Sequence, residues 1–176
     1  MPDLRVYIAV SLDGYIATPD GGVAWLDPYN PSESDYTNFI KEIGAIVMGR
    51  KTFDQVMGWG QWHYEGLPVI VQTRRPLPAN RPAGVEAWDG PVEPLADRLR
   101  RESKGDIWLI GGAESIASFD AVGLIDRWQI HMIPVLLHSG IPMFPVTKQA
   151  PLSLRLTRAH ANACGIVELD YRRATQ

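Results

Sequence analysis

The chain is poor in cysteine, in long apolar runs and in net charge. Cys164 is the single cysteine among 176 residues, which rules out an intrachain disulfide and is typical of a reducing compartment. No apolar run approaches the roughly 20 residues that span a bilayer, and the first residues show no secretion-signal pattern. A formal net charge of −3 provides no basic surface for nucleic acid. We therefore predict a cytoplasmic protein without membrane or nucleic-acid partners.

Strand-like and helix-like segments alternate along most of the chain. Capping signals and apolar periodicity predict helices from about residue 31 to 43 and at 50–57, 91–104 and 113–119. Apolar, β-branched runs predict strands at residues 4–10, 45–48, 69–72, 85–88, 106–110, 126–137, 152–159 and 166–172. This alternation predicts an α/β fold: one three-layer α/β/α domain over residues 1–176, with a mostly parallel central sheet and an antiparallel C-terminal hairpin.

The segment from Gly49 to Thr52 turns a predicted strand into a helix. Arg50 and Lys51 stand at the helix start, where the helix dipole disfavours a cation by about 0.3–1 kcal/mol unless an anion binds. Backbone N–H groups at such a turn suit a phosphate. The segment is not a G-x4-G-K-[ST] phosphate loop, because Arg50 separates the second glycine from Lys51. It predicts an anion site, against the alternative of a helix that merely exposes two cations.

A second strand-to-helix turn lies at residues 111–115, Gly-Gly-Ala-Glu-Ser. Paired glycines also allow a strand and a helix to pack closely without a ligand, and they do not form the G-x-G-x-x-G pattern of a Rossmann fold. The third strand ends at Thr73 and Arg74, which would hold another phosphate or simply be solvated. The carboxyl ends of parallel strands share one edge of a sheet. These turns together predict a ligand with more than one phosphate, such as a dinucleotide.

Proton chemistry depends on single carboxylates, because no His, Cys or carboxylate group has the spacing of a metal site. Asp35 lies one helical turn before the apolar Phe39, a position that would desolvate its carboxylate and raise its pKa towards general-acid use. A solvated Asp35 that stabilises the helix start is the alternative. Asp13 is the next candidate. The aromatic residues of the loop 58–66 predict a lid over a flat ligand or, as the favoured interpretation, an anchor to the core.

Three motifs, in their order and spacing, resemble the dihydrofolate reductase superfamily. They are residues 9–17 (AVSLDGYIA), 47–53 (VMGRKTF) and 109–113 (LIGGA). The chain is most similar to the branch that contains the C-terminal reductase domain of bacterial riboflavin biosynthesis and its stand-alone relatives, a similarity that residues 123–144 extend. The resemblance covers about residues 4–172. It implies a central eight-stranded sheet with flanking helices and NADPH lying across the carboxyl edge.

The resemblance also assigns roles to individual residues. It implies a cis peptide bond between Gly111 and Gly112, and Asp35 is the best match to the acidic residue on the first helix of folate reductases. From the residues themselves, Asp35 and then Asp13 are the expected proton donors, and no metal site is expected. Trp25, Phe39 and Trp59 are our candidates for the walls of the substrate pocket. The implied NADPH contacts are Ala9 and Ile16 at the nicotinamide, Gly49, Arg50, Lys51 and Thr52 at the phosphates, Thr73 and Arg74 at the 2′-phosphate, and Ile110, Gly111, Gly112, Ala113, Glu114 and Ser115 in the second phosphate turn.

These inferences predict an NADPH-dependent reductase that transfers a hydride to a C=N or C=O bond of a small pterin- or pyrimidine-like heterocycle. Two alternatives stay open. One is a ribosylaminopyrimidine reductase of riboflavin biosynthesis, and the other is a relative of the same fold that binds a nucleotide or a partner without turnover. Because relatives often dimerise, a homodimer that pairs subunits near residues 128–137 is a further prediction.

Overall fold

A computed structural model of the protein describes residues 1–29 and 33–174, with all of their side chains except those of residues 33–35. The α-helices are α1 (Glu33–Lys41), α2 (Arg50–Gly58), α3 (Val92–Glu102) and α4 (Ala113–Ala121), and a 3₁₀-helix covers Ala24–Tyr29. The strands are β1 (Leu4–Ser11), β2 (Tyr15–Ala17), β3 (Ile43–Gly49), β4 (Val69–Gln72), β5 (Val85–Trp88), β6 (Asp106–Gly111), β7 (Arg127–Ile133), β8 (Ile141–Pro142), β9 (Leu154–Ala161) and β10 (Val167–Arg173).

Eight of these strands form one sheet in the order β5-β4-β3-β6-β1-β7-β10-β9. The strands from β5 to β7 in that order run parallel, whereas β10 runs antiparallel to both β7 and β9. The short strands β2 and β8 form a separate antiparallel pair. The predicted fold class, a mostly parallel sheet between helix layers with a C-terminal hairpin, is confirmed.

Burial of both faces explains why the parallel strands read as continuous apolar runs. In β3, Ala45 and Val47 pack on the side that α3 and α4 cover, whereas Ile46 and Met48 pack on the side that α1 and α2 cover. Successive side chains of a strand point to opposite faces, so each face receives half of the apolar residues. The common direction of the strands gathers the loops that follow them along one carboxyl edge.

The ends of β7 and of α1 are among the element boundaries that differ from the sequence prediction. The strand predicted for residues 126–137 is β7, which ends at Ile133, because the next residue, Pro134, has no N–H to donate to a neighbouring strand. The first helix ends at Lys41, and Ile43 begins β3 instead of closing the helix. Ile43 is buried against α1 and α2, as it would be at the end of a helix. Its apolar spacing therefore did not show that it belongs to a strand. The predicted capping signals at residues 30–32 lie outside the described residues.

Candidate functional site

The two glycine turns lie against each other at the carboxyl edge. β3 and β6 are neighbours, and Met48 is in register with Gly111. A Cβ built on Gly49 would lie 3.8 Å from the Gly112 nitrogen and 3.9 Å from the Gly111 oxygen. The Gly111–Gly112 peptide bond is cis, as the resemblance implies. Gly111 has a φ of +119°, a conformation that residues with a side chain rarely adopt.

Two helices begin at these turns. Gly49 precedes α2, Gly112 precedes α4, and neither helix start has a side-chain capping bond within the described residues. The first N–H groups of both helices are therefore left for solvent or a ligand, and both dipoles present their positive ends to the same small volume. Such an arrangement can bind a ligand with two linked phosphates.

A side-chain bridge holds the start of α4 to the end of β4. The Ser115 hydroxyl donates to the Gln72 side-chain oxygen, and the Gln72 amide nitrogen lies 3.5 Å from the Ser118 hydroxyl. Ser118 in turn donates to the Ser115 carbonyl at 2.8 Å. Gln72 is also in register with Gly49, so its side chain joins the start of α4 to the strand that pairs with the first turn. Sequence reasoning missed Gln72, although a polar residue that ends the apolar run Val69–Val71 was a usable signal.

The cations of the first turn divide into paired and exposed ones. Arg50 donates to Asp54 at 2.7 Å and to the Pro76 carbonyl at 2.9 Å, so it ties α2 to the loop after β4. Lys51 and Arg74 are exposed, and neither forms an ion pair with another described residue. The predicted phosphate contacts therefore include two cations that remain able to meet an anion.

Asp13 is held by hydrogen bonds that keep its carboxylate ionised, so it is a poor proton donor near neutral pH. The Ser11 hydroxyl donates to its carboxylate at 2.6 Å, and the backbone N–H groups of Leu137 and His138 donate at 3.1 and 2.7 Å. The Ser11 bond has the largest effect and lowers the pKa of Asp13 below its usual range; desolvation partly offsets it, and the backbone bonds lower the pKa further. This geometry favours a role in fixing the loop after β7. The side chain of Asp35, the first predicted proton donor, lies outside the described residues.

The end of β1 and the strand β2 carry the two residues expected at the nicotinamide. Ala9 is in register with His131 of β7. The residue before Ala9 is Ile8, whose side chain would lie 3.6 Å from a Cβ on Gly111. Ile16 lies in β2 and packs against the core. Ala9 thus directly follows the residue whose side chain approaches the second glycine turn, and its contact with a nicotinamide stays a prediction.

The three predicted substrate walls have different environments. Phe39 is buried and stacks on Tyr7, with 3.9 Å between ring centroids. Trp59 is 53% exposed at the end of α2, whereas other aromatic residues of its loop pack into the core. Trp25 is half-buried in the 3₁₀-helix, and its indole N–H has no hydrogen-bond partner in the described structure. Only Phe39 of the three lines the groove described next.

A polar groove of about 200 Å³ lies on the α1 side of the sheet. It runs beside α1 over β1, β7, β10 and β9, and sequence reasoning missed it because its side chains come from four strands. The lining residues that bear on its chemistry are Arg5, Tyr7, Asn38, Phe39, Glu42, Arg127, Gln129, His131, Arg158, Glu168 and Asp170. Rings, amides and alternating charges make this groove able to receive a small polar molecule.

Two absences concern the described residues alone. Residues 1–29 and 33–174 contain no group of three or more His, Cys, Asp or Glu side chains arranged to hold a metal ion. No helix in the same part of the chain has the length and apolar character needed to cross a membrane.

The sheet order, the helix layers and the paired glycine turns define a dihydrofolate reductase-like α/β domain. The chain matches the family model described as the RibD C-terminal domain over residues 2–167. It belongs to this family, and the predicted superfamily and branch are confirmed. Because the RibD C-terminal domain is a reductase domain, membership supports an oxidoreductase activity in general.

Individual relatives match almost the whole length of the chain. The uncharacterized protein YwjB of Bacillus subtilis (strain 168) is 34% identical over 172 residues, which cover 96% of this chain and 97% of YwjB. A protein of Shewanella sp. PV-4, provisionally assigned to riboflavin biosynthesis, has a structure similar to this chain with a TM-score of 0.87 and 28% identity, covering 99% of this chain and all of that one.

A Thermotoga maritima protein named as a deaminase and 5-amino-6-(5-phosphoribosylamino)uracil reductase has a TM-score of 0.71 and 16% identity. The likeness covers 98% of this chain and 57% of that longer one. At this identity it shows the shared fold alone.

Proposed function

We propose that the protein is an NADPH-dependent reductase that transfers a hydride to a small pterin- or pyrimidine-like heterocycle. The observation that carries the proposal is the contact between the two glycine turns, at which α2 and α4 both begin without a side-chain cap. Family membership supplies the reaction class. The predictions of a homodimer and of a cytoplasmic location are retained with it.

The residues at the carboxyl edge fit a dinucleotide. The N–H groups that follow Gly49 and Gly112 would hold the pyrophosphate, since each helix start offers donors and a positive dipole end. Arg74, exposed beside Thr73 at the end of β4, would meet the 2′-phosphate and so favour NADPH over NADH. Arg50 would act differently from the prediction, because its bonds to Asp54 and to the Pro76 carbonyl build the wall of this site.

Bound NADPH supplies the hydride. The chain would position the nicotinamide ring, because the small side chain of Ala9 near the end of β1 leaves room for a ring beside the second glycine turn. The acceptor ring would lie against the nicotinamide at this same edge, because a hydride passes only between atoms in contact. The proton would come from water or from Asp35, which lies on α1.

The first test is a titration of the purified protein with NADPH and NADH in parallel, followed by quenching of its tryptophan fluorescence. Arg74→Ala should weaken NADPH binding about tenfold, the loss expected for one charge-assisted contact, and leave NADH binding unchanged. Arg101→Ala removes an exposed arginine at the far end of α3 and serves as the matched control. Absence of binding for both nucleotides would overturn the proposal.

A ribosylaminopyrimidine reductase of riboflavin biosynthesis is the second candidate, and the family match favours it. A non-catalytic nucleotide-binding protein is the third. NADPH oxidation is measured with a set of reducible pterin- and pyrimidine-like heterocycles, with and without a ribose phosphate. The result separates the three candidate functions. If NADPH binds tightly but none of the heterocycles oxidises it, the non-catalytic alternative is favoured.

A further inference from the structure

The side of the sheet that α3 and α4 cover continues beyond both helices as an apolar surface. One row of register partners crosses this side from β1 to β9 and consists of Val6, Trp128, Tyr171 and Leu156. The first three belong to the core on this side or pack against it. Exposure rises along the row, from 0% at Val6 and 2% at Trp128 to 48% at Leu156. The helix cover therefore ends before the edge strand, whereas the apolar residues continue to it.

A second row repeats this pattern nearer the carboxyl edge. Its register partners are Val10, Met132, Val167 and Ala161. Val10 is buried, the two middle residues are half-buried and Ala161 is exposed. The outer parts of both rows form one apolar surface over β7, β10 and β9. This surface, the hairpin face, consists of Trp128, Met132, Val167, Tyr171, Leu156 and Ala161.

The charged side chains of β9 lie on the opposite side of the sheet. Arg158 and His160 are in register with two carboxylates of β10 that line the groove beside α1. Arg155 comes directly before Leu156 and therefore points to that side as well. The hairpin face thus carries no charge from β9, so two copies of it can approach each other without bringing like charges of this strand together.

A β-bulge preserves this separation of apolar and charged residues. The register between β9 and β10 shifts between Asp170 and Tyr171, so Thr157 is an extra residue in β9. Its hydroxyl donates to the Asp170 carbonyl at 3.0 Å. Without the extra residue, alternation would carry the apolar side chains that follow Leu156 to the charged side. The bulge therefore keeps one side of the edge strand apolar along its length.

The segment that leads into β9 enlarges the apolar surface. Phe144 packs on Trp128, with 5.7 Å between ring centroids, yet it is 58% exposed. Lys148 is the single charged residue of segment 144–153. Further exposed apolar residues of this stretch and of β9 are Val146, Leu152 and Leu156. Contiguous apolar patches of more than a few hundred Å² are rare on monomeric proteins and typical of interfaces.

A second copy of the chain fits this face better than it fits the edge of the sheet. Edge pairing of two β9 strands would place Arg155, Arg158 and His160 of both copies on one side, and like charges opposite each other destabilise paired strands. β7 has β1 and β10 beside it, so a second copy can reach the strand residues of β7 only through a face. Two identical twisted sheets pack well face to face, about 10 Å apart.

The hairpin face has the size of the apolar core of a dimer interface. β7 and β10 have seven residues each and β9 has eight. At a rise of roughly 3.3 Å per residue and a strand spacing of roughly 4.8 Å, they present roughly 300 Å² in projection. Stable interfaces bury about 800 Å² per partner, with a polar rim around an apolar core. Segment 144–153 and the side-chain relief of the strands supply further area.

We propose that two copies of the chain pack through the hairpin face, sheet against sheet, in a two-fold symmetric dimer. This inference rests on the homodimer retained with the proposed function and gives that dimer its contact surface. The glycine turns follow β3 and β6, which lie outside the hairpin face. Each copy therefore keeps its own nucleotide site.

The first test is sedimentation equilibrium of the purified full chain over a range of concentrations, with a dimer as the expected species. Leu156→Glu should raise the dissociation constant of the dimer about a hundredfold or more, because two unpaired carboxylates would be buried in the contact. Arg155→Glu changes the exposed neighbouring residue on the opposite side and should leave the dimer intact. A chain that is monomeric at every concentration would overturn the inference, as would a Leu156→Glu protein that dimerises like the parent.

A second measurement does not depend on a destabilised dimer. Cys164 is exposed and is removed by Cys164→Ser, and a cysteine is then introduced by Leu156→Cys or by Arg155→Cys. The reaction of the Leu156→Cys thiol with a soluble disulfide reagent should slow as the protein concentration rises, because the partner covers it. The Arg155→Cys thiol should react at one rate throughout. The same concentration dependence at both positions, or none at Leu156→Cys, would overturn the inference.

Failure of this inference is distinguishable from failure of the proposed function, because the same samples are titrated with NADPH and NADH. A monomer that binds NADPH overturns the dimer contact and leaves the cofactor site intact. A dimer that is sensitive to Leu156→Glu but binds neither nucleotide overturns the reductase proposal and keeps the hairpin face as the contact surface.

Discussion

Gly49→Ala is expected to separate nucleotide binding from folding. Gly49 has φ −75° and ψ 161°, values that alanine adopts freely, and its added Cβ would meet its nearest neighbours at 3.8–3.9 Å, ordinary contact distances. Alanine is a poorer N-cap than glycine by roughly 0.5 kcal/mol. Its restriction of the unfolded chain restores about 0.4–1 kcal/mol. The free energy of unfolding should therefore change by less than about 0.5 kcal/mol.

The effect on NADPH should be much larger. The new methyl group would project between the two turns, towards the Gly112 nitrogen, and hold a pyrophosphate away from the helix N–H groups. Loss of one charge-assisted bond costs about 1.5–3 kcal/mol, which corresponds to a dissociation constant raised roughly tenfold to a hundredfold. Urea unfolding and fluorescence titration measure the two quantities on one sample.

Gly44→Ala is the matched control. A Cβ there would overlap the Gly105 nitrogen and the Ser103 hydroxyl, so this variant should lose about 1–3 kcal/mol of stability, and its remaining folded fraction should bind NADPH normally. Unchanged NADPH affinity in a stable Gly49→Ala protein would refute the assignment of the pyrophosphate to this contact.

Three further perturbations test the described contacts. Arg5→Met should lower the free energy of unfolding in urea by about 2–3 kcal/mol, less than a fully buried ion pair would cost, because the carboxylates it leaves behind are partly exposed. Ser115→Ala removes the donor to Gln72 and should cost about 1 kcal/mol in urea together with weaker NADPH binding. The lowered pKa of Asp13 means that its stabilising bonds are fully present above the unfolded pKa of an aspartate and are lost as the pH falls through the folded pKa. Hydrogen exchange at Leu137 should therefore accelerate in that acidic window.

Each of these expectations has a contrary result. An Arg5→Met protein as stable as the parent would show that the network around Arg5 contributes nothing net. A Ser115→Ala protein with unchanged NADPH affinity would confine the Gln72 bridge to folding. For Asp13, the control is Asp13→Asn, which cannot titrate. The same acid response of Leu137 in that variant would exclude Asp13 as its cause.

The sequence located the two glycine turns correctly because their signal is local. A buried strand that ends at glycine and continues into a helix is written in consecutive residues, as at Gly49 and at Gly111-Gly112. The contact between the turns was also inferable, since parallel strands of one sheet place their carboxyl ends on the same edge. The role of Arg50 in tying α2 to the loop after β4 could not be inferred, because one of its partners is the carbonyl of Pro76, 26 residues away.

The groove shows the opposite case. Its ion pairs join β7 to β10 and β10 to β9, and each pair depends on the register between two neighbouring strands of the sheet. Asp13 likewise reaches backbone groups 124 and 125 residues later. Charges scattered through a sequence look like an ordinary solvated surface until the register is known. The sequence alone therefore gave no reason to place Arg127 or Asp170 in a pocket.

The sequence by itself determined the α/β class, the alternation of strands and helices, and the glycine turns, because hydrophobic periodicity and backbone freedom act over a few neighbouring residues. Only the tertiary structure decided which cations stay available. It paired Arg5, Arg127 and Arg158 with carboxylates and left Lys51 and Arg74 exposed at the carboxyl edge. Whether a charge can serve a ligand depends on its distance to other charges, and folding alone sets those distances.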